Sequence, residues 1–289
     1  MSDSKPVHAG RAGTIDVGGD LTVNRLGFGA MRITGPGIWG PPADPDGAKR
    51  VLRRVVELGI ELIDTADAYG PEVSEELIAE ALHPYPDGLV IATKGGLRRS
   101  GPGQWSRDAR PERLKRCCAD SLRRLQLDRI DLYQLHSPDP KVPLEESLGA
   151  LRELQQEGKV RHVGVSNFSV EQVERARRVV RVATVQNRYN LADRAAEGVL
   201  AVCERDEIGF LPWFPLATGN LARPGGPLDE VARAHDATPG QVALAWLLQR
   251  SRVMLPIPGT ASIEHLEENA KAAELRLSDE EMEQLGASP

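Results

Sequence analysis

Short apolar runs and amphipathic stretches alternate along this chain, and that alternation restricts the fold more than any other feature. Runs at 25–29, 61–64, 89–93, 130–135, 160–165, 183–186, 208–213 and 253–257 have the length and character of buried strands. Helical patterns lie between or after them, at 46–58, 73–82, 111–125, 144–157, 170–179, 197–206, 228–235, 239–249 and 263–272. Pro111 suits a first helical turn, Gly158 a helix stop, and Ser278-Asp-Glu-Glu281 a capping box opening a last short helix. Strands separated by helices pair in parallel through right-handed crossovers, and eight such units close into a (β/α)8 TIM barrel. The competing α/β fold is a doubly wound open sheet. It lacks its mark here, because no strand runs into a Gly-x-Gly-x-x-Gly turn and Gly27-Phe-Gly29 is too little to count. Before the first unit, 14–17 and 21–23, split by Gly18-Gly19, predict a small β-hairpin. The expected organisation is a flexible N-terminus over 1–12 and one barrel domain over 13–289, with extra helices near its C-terminal end.

Composition removes several function classes. A formal net charge of −6 gives no basic surface for nucleic acid. The Arg-rich stretches 113–124 and 175–181 carry their charges at helical spacing among acids, so they read as solvated helix faces. No apolar run approaches the ~18 residues a membrane helix needs, and 1–10 has no apolar signal core. Cys117, Cys118 and Cys203 form no disulfide framework or metal spacing. The chain is therefore expected to be cytoplasmic, without metal, and a monomer or weak oligomer acting on a small molecule.

In a barrel, residues just after the strands are the catalytic candidates. The second strand leads into Asp64-Thr-Ala-Asp-Ala-Tyr69, the third into Lys94, the fourth into His136, the fifth into Ser166-Asn167 and the sixth into Gln186-Asn187. A phenol is a poor acid at neutral pH, with an ordinary pKa near ~10. A buried ammonium beside it favours phenolate, and a carboxylate holds that ammonium in turn. Lys94 is thus expected to lower the pKa of Tyr69, with Asp64 holding Lys94 and His136 orienting a substrate carbonyl. Asp67 has no part in that chemistry. Each residue alone has an ordinary structural explanation; the four types together at one rim point to catalysis.

This set resembles the aldo-keto reductases. Asp64-Thr-Ala-Asp-Ala-Tyr-Gly70, Gly164-Val-Ser-Asn-Phe168, Gln186-Asn187, Trp213-Phe-Pro-Leu216 and Ile257-Pro-Gly-Thr260 with Glu268-Asn269 are similar to that family's segments, in order, from the hairpin to Leu285. The resemblance implies NADPH held without a Rossmann domain and reduction of an aldehyde or ketone. It assigns Ser166, Asn167 and Gln186 to the nicotinamide carboxamide and Trp213 to stacking on the ring. Further cofactor contacts are expected from Met31, Asp64, Phe214, Pro215, Leu216, Gly219, Leu221, Pro258, Gly259, Thr260, His265, Glu268 and Asn269. Gly259 and His265 stand where many members carry Lys and Arg against the 2′-phosphate, so NADH is a possible alternative to NADP(H). Trp39 and Trp105, with Tyr69 and His136, are the expected substrate contacts, and 35–45 and 97–104 read as mobile rim loops. Two other readings are carried forward: a pyridoxal-reducing or pyridoxine-oxidising activity, and a cofactor-binding, redox-sensing regulatory subunit.

Overall fold

In the computed structural model, which describes residues 7–217 and 228–287, the alternation becomes a closed barrel. A hairpin of β1 (Thr14–Val17) and β2 (Leu21–Asn24) precedes β3 (Phe28–Gly29), α1 (Pro45–Glu57), β4 (Leu62–Asp64), α2 (Val73–Leu82) and β5 (Val90–Gly95). A second hairpin follows, β6 (Leu97–Gly101) with β7 (Gln104–Arg107), and then α3 (Pro111–Leu125), β8 (Ile130–Leu135), α4 (Leu144–Gln156) and β9 (Val160–Ser166). The remainder is α5 (Val170–Arg177), β10 (Val182–Gln186), α6 (Glu197–Asp206), β11 (Gly209–Phe210), α7 (Asp229–Ala234), α8 (Pro239–Arg250), α9 (Ile263–Lys271) and α10 (Asp279–Ala287). The sheet runs β11-β10-β9-β8-β5-β4-β3 with parallel neighbours throughout.

Local chemistry explains the helix starts. Asp44 accepts from Gly47 N at 2.8 Å ahead of Pro45, and Ser169/Gln172 and Thr238/Gln241 form capping boxes on α5 and α8. The capping box read at Ser278 and Glu281 is present too, with Glu281 N donating to Ser278 Oγ at 3.2 Å and Ser278 N to Glu281 Oε2 at 2.7 Å. Strand side chains alternate between two environments. Leu62, Val90, Ala92, Leu132, Ala183, Leu211 and Leu255 meet the hairpin residues Val17, Leu21 and Val23 in one cluster, so the first hairpin plugs one end of the barrel. Ile63 and Ile91 pack instead with the apolar face of α1, and Tyr133, Val163 and Val185 with the later helices.

The eighth strand departs from expectation. Residues 253–258 lie between β11 and β3 and close the barrel, but form only one isolated bridge, Met254 to Phe210. Phe210 N donates to Val253 O at 2.7 Å and Leu255 N to Phe210 O at 2.8 Å. On the other side Gly27 N and Gly29 N donate to Pro256 O and Pro258 O at 2.9 and 3.3 Å. The residues facing β3 are prolines, which return no N–H, so this joint is bonded in one direction only.

The N-terminus expected to be flexible is packed from Ala9 onward. Ala9–Ala12 form a 3-10 turn, Ala9 is fully buried, and its N–H donates to Leu58 O at 2.8 Å. The stretch 97–104, read as a mobile loop, lies in the antiparallel hairpin β6–β7. Arg124 is not on a solvated face: its Nε donates to the fully buried Glu75 at 2.7 Å, and Thr93 Oγ1 donates to the other oxygen at 2.6 Å.

The one-directional joint leaves little space. A Cβ on Gly29 would sit 2.7 Å from Ile257 O. Gly29→Ala is therefore expected to destabilise the fold by about 1–3 kcal/mol, read as a lower urea midpoint with an unchanged m-value.

Candidate active site

Strand register brings the rim residues together. Asp64 pairs with Ala92, Lys94 with Gln134, Gln134 with Gly164 and Gln186 with Ser166. Lys94 Nζ donates to Asp64 Oδ2 at 2.7 Å, to Thr65 O at 2.8 Å, and more weakly to Tyr69 OH at 3.5 Å. The other oxygen of Asp64 accepts from Gln186 Nε2 at 2.8 Å and Gln134 Nε2 at 3.1 Å. Asp64, at the end of β4, is thus the hub that side chains from three other strands reach, and the barrel core supplies its hydrogen bonds. Gly164 makes room for this, because a Cβ there would meet Thr184 Oγ1 at 2.3 Å and Gln134 Cγ at 2.8 Å. The rings of Tyr69 and His136 meet edge to face at 5.8 Å, and Lys94 Nζ lies 5.1 Å from the Tyr69 ring centre.

Burial dominates the electrostatics. It disfavours the charge on Lys94, but Asp64 and Tyr69 beside the ammonium outweigh it and hold the pKa above its ordinary value. Burial likewise raises the Tyr69 phenol, with Lys94 opposing and Asp64 adding to the rise. This corrects the expectation from sequence: Lys94 restrains the rise in the Tyr69 pKa without bringing it below the ordinary value, because the phenol is nine-tenths buried and Asp64 screens the ammonium. His136 is driven well below its usual range by burial and then by Lys94, so the imidazole is neutral. Its Nδ1 is buried without a partner, leaving Nε2 as the nitrogen available to a ligand.

The tetrad opens into a cleft of about 950 Å³, at the upper end of the size of ligand sites. Asp64, Tyr69 and His136 share its wall with Met31, Trp105, Ser166, Asn167, Gln186, Trp213, Phe214, Pro215, Leu216, Pro258, Gly259, Thr260, His265, Glu268 and Asn269. Gly219 and Leu221 lie outside the described residues. Trp39 is not on the wall; its ring centre lies 5.7 Å from the Arg99 guanidinium. Asn187 is a clamp between loops, accepting from Phe168 N at 3.1 Å and donating to Phe168 O at 2.7 Å. Sequence reasoning missed Arg32, Ile38, Leu97 and Gly240 on the wall. The last two lie on a hairpin strand and at the start of α8, and only tertiary closure brings them there.

The cleft fits a dinucleotide. Ser166, Asn167 and Gln186 offer neutral amide and hydroxyl groups near the tetrad. Asn167 holds a left-handed turn at φ 62°, its Nδ2 donates to His136 O at 3.0 Å, and its Oδ1 accepts from Trp213 Nε1 at 3.1 Å. That fixes the Trp213 indole on the wall beside the polar groups. At the far end Thr260 and His265 flank the N-terminus of α9, a setting for phosphate, and Asn269 lines the cleft from further along the same helix. Glu268 is held there by Thr238 Oγ1, which donates to it at 2.6 Å.

A parallel barrel with an acid, a lysine, a tyrosine and a histidine at one rim, beside a long cleft, defines a class of reductase. A model of the Aldo/keto reductase family matches residues 25–288, and the chain belongs to that family. It is 51% identical over 277 residues to an uncharacterized oxidoreductase of Schizosaccharomyces pombe, covering 96% of this chain and 90% of that protein. It is 45% identical to the pyridoxine 4-dehydrogenase of Escherichia coli, over 91% of this chain and 93% of that one. Among solved structures, the glycerol dehydrogenase of Gluconobacter oxydans superposes with a TM-score of 0.87 at 31% identity, over 95% and 94% of the two chains. An aldo-keto reductase from Klebsiella pneumoniae in complex with NADPH gives 0.80 at 32%, over 94% and 93%. The chain is an NAD(P)H-dependent oxidoreductase of that family. No helix among the described residues is long and apolar enough to cross a membrane.

Asp67, set aside on sequence, lies buried next to the tetrad with Oδ1 unpartnered. Burial, and then the nearby Glu75, push its carboxyl up to about 7. Between its unfolded value and about 7 the folded chain keeps a proton there that the unfolded chain has lost, so its contribution to stability falls as pH rises through that window. Asp67→Asn should therefore raise Tm relative to the parent more at pH ~8 than at pH ~4, as measured by calorimetry at both pH values.

Proposed function

We propose that Tyr69 is the proton donor in reduction of an aldehyde or ketone to an alcohol. The observation that carries this is the fully buried Lys94, hydrogen-bonded at once to Asp64 and, more distantly, to Tyr69 at the head of the cleft. When bound, the dihydronicotinamide supplies hydride to the carbonyl carbon. The residues of this chain do the rest. His136 donates from Nε2 to the carbonyl oxygen and orients it. Tyr69 gives its phenolic proton to that oxygen as negative charge develops there. Lys94 stabilises the phenolate left behind, and Asp64, fixed by Gln134 and Gln186, keeps the ammonium charged and in place. Ser166, Asn167 and Gln186 hold the carboxamide and Trp213 packs the nicotinamide ring. In this reading Gln186 shares its amide between Asp64 and the carboxamide.

For the substrate, the 45% identical pyridoxine 4-dehydrogenase favours a pyridoxal-type carbonyl, with the alcohol oxidised in the reverse direction. The aromatic groups at the mouth, Trp105 and His136 with ring centres 6.3 Å apart, suit a flat ring. The complete tetrad favours turnover over a purely regulatory subunit. We also place the protein in the cytoplasm as a monomer or weak oligomer. Its three cysteines are unpaired and buried, as suits a reducing compartment.

Tyr69→Phe should lower kcat about a hundredfold or more with pyridoxal and with a simple aldehyde, while NADPH binding, followed by tryptophan fluorescence, changes less than about twofold; retention of the parental rate would remove Tyr69 from the role. Because the phenol is raised and the imidazole lowered, neither group titrates near neutrality. In Asp67→Asn, which removes the carboxyl that titrates at about 7 beside the tetrad, the reduction rate should be flat from about pH 6 to about pH 9 and fall only at higher pH, as initial rates in constant-ionic-strength buffers would show.

A further inference from the structure

The hairpin β6–β7 stands out from the barrel, with all four residues of β7 exposed, yet it carries Trp105 onto the cleft wall beside His136. What holds it there is Arg99, the cross-strand partner of Trp105. Every N–H of the Arg99 guanidinium is spent on a backbone carbonyl. Nε donates to Gln104 O at 3.2 Å. Nη1 donates to Ile38 O at 2.7 Å and Ala68 O at 3.2 Å. Nη2 donates to Gly37 O at 2.8 Å and Gly101 O at 3.3 Å. These carbonyls come from three separate segments: the entrance loop before α1, the loop that presents Tyr69, and the hairpin itself. The plane also covers the Trp105 ring, with the guanidinium carbon 3.7 Å from the ring centre. No carboxylate pairs with Arg99 among the described residues. Apart from Arg99, the hairpin tip is tied to the entrance loop by one backbone bond, Gly103 N to Gly37 O at 3.3 Å.

We infer that Arg99 is a positioning residue for substrate selection. It staples entrance loop, Tyr69 loop and hairpin into one rim, and so holds Trp105 as an aromatic wall against which a flat carbonyl substrate is bound. The inference rests on the carbonyl-reducing role proposed above and names the residue that shapes its pocket. A planar fork with five donors is required, since lysine has the charge but not the geometry to reach three loops.

The test compares Arg99→Lys, Trp105→Ala and the double variant, with benzaldehyde and propionaldehyde as substrates. The ratio of kcat/KM for benzaldehyde to that for propionaldehyde is expected to fall about tenfold in each single variant, mainly through KM. In the double variant it is expected to fall no further. An unchanged ratio in either single variant overturns the proposal, and so does a double-variant loss equal to the product of the two. Trp105→Ala alters an exposed side chain, so it tests the wall even if Arg99→Lys does not fold. A second readout needs no turnover. Acrylamide quenching of Trp105, taken as the difference between parent and Trp105→Phe proteins, should rise about twofold when Arg99→Lys is introduced into both backgrounds. An unchanged difference would mean that Arg99 does not hold the indole, whatever reaction the enzyme performs.

Discussion

A lysine with no exposed surface, bonded to an aspartate that is itself nearly buried, governs this structure. An isolated buried ammonium would cost several kcal/mol in desolvation, and one carboxylate oxygen does not offset that unless the pair's other hydrogen bonds are also satisfied. Here they come from Thr65 O, Gln134 and Gln186. Those side chains belong to different strands, so the pair forms only when the barrel's order and register are right. The candidate catalytic rim and the barrel interior are therefore built together, and the fold positions the charge on which the proposed chemistry depends.

A second polar layer lies beneath the first. Glu75 on α2, Arg124 on α3 and Thr93 on β5 form a buried network, with Asp67 and Cys117 close to it. The loop carrying Tyr69 runs between the two layers, with Asp67 N donating to Lys94 O at 3.2 Å and Ser74 N to Tyr69 O at 3.1 Å. The loop that presents the phenol is thereby bonded both to the strand that bears its lysine and to the first turn of α2. This suits the proton-donor role proposed for Tyr69, in which the distance to the substrate oxygen must not drift.

Much of this was legible in the sequence, and the parts that were not share a cause. Periodicity gave the order of strands and helices because each element buries one face. Polar residues following apolar runs gave Asp64, Tyr69, Lys94 and His136 because parallel barrels put those positions on one rim. Pattern alone could not show that Pro256 and Pro258 would deny the last segment regular pairing, since the outcome depends on which neighbour each residue faces. Arg124 looked solvated because its acidic partner lies 49 residues away, on another helix. Arg99 was hidden within a segment rich in glycine and charge, its partners being carbonyl oxygens that no residue type announces. The direction of the Tyr69 shift was misjudged for a similar reason: spacing reveals a neighbouring charge but not how completely both groups are withdrawn from water.

The proline-bearing segment has a further consequence. Gly29 and Ile257 to Gly259 line the cleft, so the one-directional joint between the first and last barrel strands lies in its floor. Elsewhere neighbouring strands lock each other through bonds in both directions; here the ladder is half-fastened. Both sides of that joint, Gly29 and Ile257 to Gly259, face the cleft together. The floor of the site is thus the place in the barrel wall where proline has replaced reciprocal hydrogen bonding by packing and one-way bonds.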